Sequence, residues 1–250
     1  GLYTFLKSNR LIKALFVSLM TYTILFILGT FPSWLTLAIL FFQKSFLAIN
    51  QNDVAALFLT PENIFARNLT DFRSVLNMKM SLLYGLLAVF LTGITLWREY
   101  PHYFVALWKN VRFPQLVYHG GLLLLGMTLA FFFTETLVTF DVFHSVGVLV
   151  LFVGVASAWL ASVIVNDLYD IHIDQETNRL RPLIQNAIPK ELYKMFGILF
   201  FFTSLILSGI VSFSAMLILL GYQAIAWIYS APPLRLKRLP IVATLLAAFA

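Results

Sequence analysis

Cysteine is absent from all 250 residues, which excludes disulfides, thiolate metal sites and a cysteine nucleophile. Charge is scarce too: 11% of residues are Asp, Glu, Lys or Arg, against roughly 25% in soluble domains. So few charges cannot cover a water-exposed surface, and a soluble globular fold is excluded. No basic run is long enough for a nucleic-acid patch, so nucleic acid is not an expected partner. Neither a repeat at solenoid period nor a low-complexity linker is present.

What fills the chain is apolar. Hydrophobic residues make up 60% of it, in runs that approach the ~20 residues needed to cross a bilayer core as a helix. The weak period-two alternation of a membrane β-barrel is missing. The sequence predicts an all-α, multi-span transmembrane helical bundle, with spans near 11–30, 78–97, 115–134, 145–165, 195–212 and 214–230 and another opening at 241. Segment 34–49 is interrupted by Gln43 and Lys44. Lys7, Arg10 and Lys13 precede the first span, and Arg98, Lys109 and Arg112 precede the run starting near 115. The positive-inside rule puts both groups in the cytoplasm. That requires an even number of crossings between them, so 34–49 is expected not to cross and 50–77 to lie outside. Asn68-Leu69-Thr70 in that stretch has the form of a glycosylation sequon. The amphipathic stretch Trp97–Phe113, where Trp97, Tyr100, Tyr103 and Trp108 alternate with charges, has interfacial-belt composition. It divides an N-terminal membrane region, 1–100, from a second domain, 101–250. Because the chain opens on Gly1 and stops inside Ile241–Ala250, a longer protein continuing past Ala250 is expected.

Three of the eleven acidic residues fall within one short stretch. Asn166-Asp167-Leu168-Tyr169-Asp170-Ile171-His172-Ile173-Asp174 follows the apolar run from Ser145. Asp167, Asp170 and Asp174 stand at i, i+3 and i+7, one stripe of a helix. Three close carboxylates repel one another unless a cation lies between them. Hard oxygen donors without thiolates favour Mg²⁺, which takes one or two carboxylates and completes its shell with water and phosphate. A plain acidic loop suits the same residues. His172, two residues from each neighbouring Asp, falls off that stripe. Arg179 and Arg181 follow, either as ordinary salt-bridge partners or as forks for phosphate oxygens.

A second unusual stretch is Tyr229-Ser230-Ala231-Pro232-Pro233-Leu234-Arg235-Leu236-Lys237-Arg238. Its prolines stop a helix, and a positive-inside loop would need nothing more. Yet two apolar runs joined near 212–214 separate it from Pro182. Two crossings return the chain to the starting face, so the acidic and basic stretches share one side of the membrane. Acidic residues facing a basic cluster are what a phosphate–metal ligand requires.

Asn166-Asp167-x-x-Asp170-x-x-x-Asp174 followed by Arg181-Pro182 resembles the first aspartate-rich motif of the UbiA superfamily of intramembrane prenyltransferases. Tyr229 through Lys237 is similar to the family's Tyr…Lys motif, and Arg112-Phe113-Pro114 to the basic-proline entry of its first helix. The likeness covers about residues 103–250. It implies a bundle of nine helices around a lipid-facing cavity, in which two aspartate-rich motifs hold Mg²⁺ against the diphosphate of an isoprenoid donor. It also implies transfer of an alkyl group other than methyl, from an isoprenyl diphosphate to a lipophilic or aromatic acceptor. By this likeness Asp167, Asp170 and Asp174 would bind Mg²⁺, and Asn166, Arg181, Arg235 and Lys237 the diphosphate. Lys237 and Tyr229 would act in the transfer. The distance from Tyr229 to Lys237 exceeds the short Tyr-x-x-x-Lys form, which leaves Arg235 and Lys237 as alternatives for the diphosphate contact. The family's second aspartate-rich motif would lie past Ala250. The implied location is a multi-pass protein of a bacterial or archaeal cell membrane, embedded in lipid, with its active face cytoplasmic.

Two rival classes fit the residues less well. The aspartate motif of the CDP-alcohol phosphotransferases needs Gly after its second Asp, where this chain has Ile171. A transporter places ionisable residues near the bilayer midplane, whereas these charges sit at segment ends. Glu135, Asp141 and His144 fall at the opposite turn and read as a solvated loop. A catalytically silent relative is the remaining alternative.

The predicted topology is open to cysteine labelling, since the chain has no native thiol. A single cysteine at Asn63 should react with an impermeant maleimide from the face opposite to one placed at Lys109. Labelling of both from the same face would overturn the arrangement.

Overall fold

The structure, a computed structural model, describes residues 11–41, 48–59, 62–64, 67–69, 71–134 and 142–249. Lys7, Arg10, Gln43, Lys44, Thr70, Glu135 and Asp141, which bear on the topology predicted above, lie outside them. The chain divides into two compact units, Gly1–Asn63 with Asn68–Leu76, and Ile64–Arg67 with Asn77–Ala250.

In the first unit the described helices are α1 (Leu11–Gly29), α2 (Phe31–Leu40) and α3 (Gln51–Leu59). Two three-residue strands, β1 (Glu62–Ile64) and β2 (Arg67–Leu69), pair beyond them. At 10 residues α2 is about 15 Å long, half of a bilayer core. The rest of segment 34–49 includes residues outside the described ones, and whether it crosses stays an expectation.

Helix α4 (Phe72–Glu99) continues into the second unit, where α5 (Pro101–Lys109), α6 (Phe113–Thr134), α7 (Val142–Tyr169), α8 (Ile171–Thr177), α9 (Lys190–Val211), α10 (Phe213–Ser230) and α11 (Pro240–Phe249) follow. Among the described residues six helices, α1, α4, α6, α7, α9 and α10, are long and apolar enough to cross a membrane. The protein is therefore a multi-pass helical membrane bundle. Proline in the first turn of α2, α5, α6 and α11 starts each helix without losing a bonded N–H. Hydroxyls inside the spans are satisfied by their own helix: Thr92, Thr128 and Ser157 donate to the carbonyls of Ala88, Leu124 and Val153. Such back-bonding lets polar side chains sit in lipid without a distant partner.

Helix α7 is the hub. It packs against α6, α9 and α10, and eleven of its residues are buried. Small side chains let α9 come close. A Cβ at Gly197 would stand 2.8 Å from Ile164 Cγ2, and one at Gly154 would stand 3.5 Å from Ser204 O. Without water to drive association inside a bilayer, this close packing is the cohesive force between helices. A polar clamp adds to it, Gln223 Nε2 of α10 donating to Ser204 Oγ of α9 at 2.7 Å.

One correction to the sequence reading arises here. His144 is no loop residue: it lies in the first turn of α7 and is buried, because α7 begins at Val142 rather than near 145. Of the two readings of the acidic stretch, helical stripe and plain loop, the structure has the helical one, with one break. Asn166 and Asp167 lie within α7, the helix breaks at Asp170, and Asp174 sits in α8. Backbone bonds from Asp170 N to Asn166 O and from Asp174 N to Asp170 O bridge the break, so the three carboxylates keep nearly one stripe.

The close approach at Gly197 makes a measurable demand. Gly197→Leu should lower the melting temperature of the detergent-purified protein, an overpacking cost of roughly 1–3 kcal/mol. Ile164→Ala in the same chain should restore part of it. Strict additivity of the two changes would show that these residues do not touch.

Candidate functional site

The acidic and basic stretches of the sequence come together where α7 ends. Burial removes Asp167 almost wholly from solvent, at 1% exposure, and its two oxygens have different surroundings. Oδ2 accepts from the Tyr193 hydroxyl at 2.8 Å and from Asn110 Nδ2 at 3.1 Å, and the Asn110 amide also reaches the Tyr193 oxygen at 2.7 Å. Oδ1 accepts no hydrogen bond. It faces Arg181 Nη1 at 3.2 Å and Arg112 Nη2 at 3.6 Å. Arg181 Nη1 in turn donates to Asn110 Oδ1 at 3.2 Å, and its Nε lies 3.8 Å from Asp174 Oδ2.

Asp170 belongs to a second group. Arg235 Nη2 donates to its Oδ1 at 2.7 Å and to Tyr169 O at 3.0 Å, while Lys237 Nζ donates to Oδ2. Asn166 Oδ1 accepts from Lys237 Nζ at 2.9 Å and from Ser230 Oγ at 3.2 Å. The acidic stretch and the basic stretch are therefore in direct contact, a closer relation than the shared face expected from the count of crossings. Arg235 and Lys237, alternatives in the sequence, both reach Asp170.

Other expected residues stand apart. His172 is exposed on α8 and Arg179 is turned back onto Gln175 O. The Tyr229 hydroxyl, half-buried, bonds to no described residue, and its neighbour Ser230 holds Asn166 instead.

Backbone geometry supports a specialised site. Arg112, Asn186 and Arg235 are the described non-glycine residues with positive φ, at 49°, 52° and 42°. Left-handed backbone is costly for a long side chain and persists where surrounding contacts over-determine it. Both arginines are held there by carboxylates. Counted together, Arg112, Arg181, Arg235 and Lys237 set four cations against three carboxylates. Burial, and next the charge of Asp170, hold the Asp174 carboxyl above the ordinary carboxylate range, opposed by Arg112 and Lys237.

The donors fit a hard cation in kind. Two buried carboxylate oxygens, Asp167 Oδ1 and Asp174 Oδ2, have no hydrogen bond and flank a single guanidinium. Mg²⁺ commonly takes one or two carboxylates and completes its shell with water and phosphate. Among the described residues no three acidic or His side chains converge to hold a metal by themselves. Asp167 and Asp174 thus suit a cation shared with a ligand's phosphate, while Asp170 is engaged by Lys237 and Arg235.

Sequence reasoning missed Asn110, Tyr193 and Ser230. Tyr193 lies in the first turn of α9 and looks like any interfacial tyrosine. Asn110 carries one faint signal, an uncharged polar side chain at a helix end just before Arg112-Phe113-Pro114. Below them Ile164, Ile188, Phe196 and Ala106 form a buried apolar floor with the Tyr193 ring.

A protein-family model, that of the UbiA prenyltransferase family, matches residues 124–250. The matched part includes the acidic stretch and Tyr229–Lys237 but not Asn110 or Arg112. No curated protein and no solved structure matches the chain.

The double hold on Asp167 Oδ2 can be tested by removing each donor. Tyr193→Phe and Asn110→Ala should each destabilise the protein by about 1–3 kcal/mol, the cost of an under-satisfied buried carboxylate. The pair should be non-additive, because the two donors share one oxygen. Unchanged melting curves for both variants would show that these bonds do not hold the site.

Proposed function

The chain belongs to the UbiA prenyltransferase family, and from that premise we propose that it moves an isoprenyl group from an isoprenyl diphosphate to a lipophilic or aromatic acceptor, with Mg²⁺ required. The observation that carries this reading is the contact between the two motif stretches. Asn166 and Asp170 meet Arg235 and Lys237 at one membrane edge, with a surplus of cations suited to an anionic group. Positive-inside bias makes that edge the cytoplasmic one.

Asp167 and Asp174 would hold the metal, with Tyr193 and Asn110 keeping Asp167 Oδ1 turned outward. Bound there, Mg²⁺ would supply positive charge to diphosphate oxygens as the leaving group departs. Lys237 and Arg235, released from Asp170, meet the same oxygens, and Arg181 adds a planar fork to them. The allylic C–O bond then breaks, and its electron pair leaves with the diphosphate. Fixed cations stabilise the growing negative charge without having to reorganise. Apolar helix faces shield the allylic cation from water until the acceptor attacks C1. Tyr229, unbonded at the helix end, is free to approach either the diphosphate or the cation.

A second reading is favoured by one feature: every acidic side chain of the site is already paired with a cation of the chain itself. A family member that binds isoprenyl diphosphate without transferring it would look the same.

Assays with radiolabelled isoprenyl diphosphates of several lengths and a panel of acceptors separate the two. Asp167→Ala and Asp170→Ala should abolish Mg²⁺-dependent transfer while membrane insertion is kept. Lys237→Ala should slow it by roughly 100-fold or more, as loss of a leaving-group donor does. Near-normal turnover in either aspartate variant would take that residue out of the mechanism. Binding of the donor without turnover by the unmodified protein would support the silent reading.

A further inference from the structure

A cavity of about 450 Å³ opens in the second unit, away from the carboxylates. Its walls come from α4 (Gly85, Ala88, Thr92, Gly93, Leu96 and neighbours), from α5 and from α9, with Ser157 of α7 at the back. No charged residue lines it. The Thr92 and Ser157 hydroxyls are already bonded to Ala88 O and Val153 O. At one end α4 and α9 touch, a Cβ at Gly85 meeting Leu207 Cδ2 at 3.1 Å. Towards Leu96 and Phe196 the lining is completed by Phe104, Leu107 and Trp108 of α5. The result is a crevice that narrows at depth and runs along α4 and α9 to the membrane edge beside α5.

Its length identifies the occupant. Gly85 to Leu96 on α4, like Phe196 to Leu207 on α9, is about 16 Å of helix at 1.5 Å per residue. Half of a ~30 Å hydrocarbon core is the depth of one leaflet. The crevice is therefore as deep as a single lipid chain standing in the leaflet on the carboxylate side. Charge at its mouth identifies the head group. Arg98 lies in the last turn of α4 and is highly exposed, with Glu99 its loose partner at 3.9 Å. Lys109, also exposed, ends α5 directly after Trp108. Long basic side chains at a helix end reach the head-group layer and favour anionic lipid there. Tyr193, whose hydroxyl holds Asp167, and Phe196, which lines the crevice, belong to one buried cluster, so packed side chains separate the crevice from the diphosphate cations.

We infer that this crevice holds one hydrocarbon chain of an anionic glycerophospholipid, its phosphate at Arg98 and Lys109. The site is built by α4 and α5, which lie outside the family match, against α9, and it does not depend on the transfer reaction. Residues 72–109 thereby seat a resident lipid beside the catalytic bundle.

The test uses the full chain in nanodiscs of phosphatidylcholine containing a trace of phosphatidylglycerol or phosphatidylcholine with a mid-chain diazirine, followed by mass spectrometry of labelled peptides. Phosphatidylglycerol should label 85–108 and 196–207 in preference to phosphatidylcholine. Gly93→Leu, at a position where an added Cβ meets nothing within 4 Å, should fill the crevice and cut that labelling roughly tenfold. Leu199→Trp fills it from the other wall and serves if the first variant folds poorly. Gly126→Leu, at an equally open glycine outside the crevice, should leave labelling intact. Arg98→Gln with Lys109→Gln should erase the preference for phosphatidylglycerol while the chain is still labelled. Equal labelling in wild type and both filled variants would overturn the proposal, as would equal labelling by the two lipids in wild type. Displacement of the probe by an isoprenyl diphosphate would also overturn it, assigning the crevice to the donor's chain. Transfer activity plays no part in these readouts, so the lipid site and the proposed reaction can fail separately.

Discussion

A carboxylate with almost no exposure to water, at the end of an apolar helix, has to be neutralised by the protein itself. Asp167 imposes that requirement on everything around it. Isolated burial of such a charge is prohibitive, and removing one partner of a buried pair typically costs about 3–5 kcal/mol. Tyr193 and Asn110 satisfy one oxygen and Arg181 and Arg112 balance the other. These four side chains come from α9, the end of α5, the loop after α8 and the start of α6. One ionised group thereby fixes the mutual placement of four segments at the membrane edge, where helix packing alone would allow sliding.

The remaining carboxylates extend this arrangement. Arg181 is shared between Asp167 and Asp174, and Asp170 draws the loop after α10 onto the end of α7 through Arg235 and Lys237. The apolar floor beneath excludes water and strengthens each of these pairs. An incoming anion would meet cations already oriented, so the chain's own ion pairs provide preorganisation as well as cohesion.

Much of this was legible from residue order. Long apolar runs gave the spans, and counting crossings put Asp170 and Lys237 on one face. The family motifs named Asn166, Arg181 and Arg235. What could not be read was partnership across distance. Asn110 and Asp167 are 57 positions apart and Asn110 and Tyr193 are 83 apart, and neither residue type is rare at a membrane edge. The break at Asp170 was hidden as well, since no Gly or Pro marks it. His144 misled because a titratable side chain next to a turn ordinarily faces water, and here the helix starts earlier and buries it.

Arg235 occupies a left-handed backbone position while its side chain grips Asp170 and Tyr169 O. The two demands favour different amino acids. Backbone geometry there suits glycine, which has no side chain to bridge the carboxylate. The ion pair suits arginine, which the backbone tolerates poorly. Lysine would keep the charge and the strain, and asparagine would ease the backbone and lose the charge. No single replacement satisfies both, so easing the backbone at this position loosens the tie between the loop after α10 and the end of α7, and keeping the tie keeps the strain.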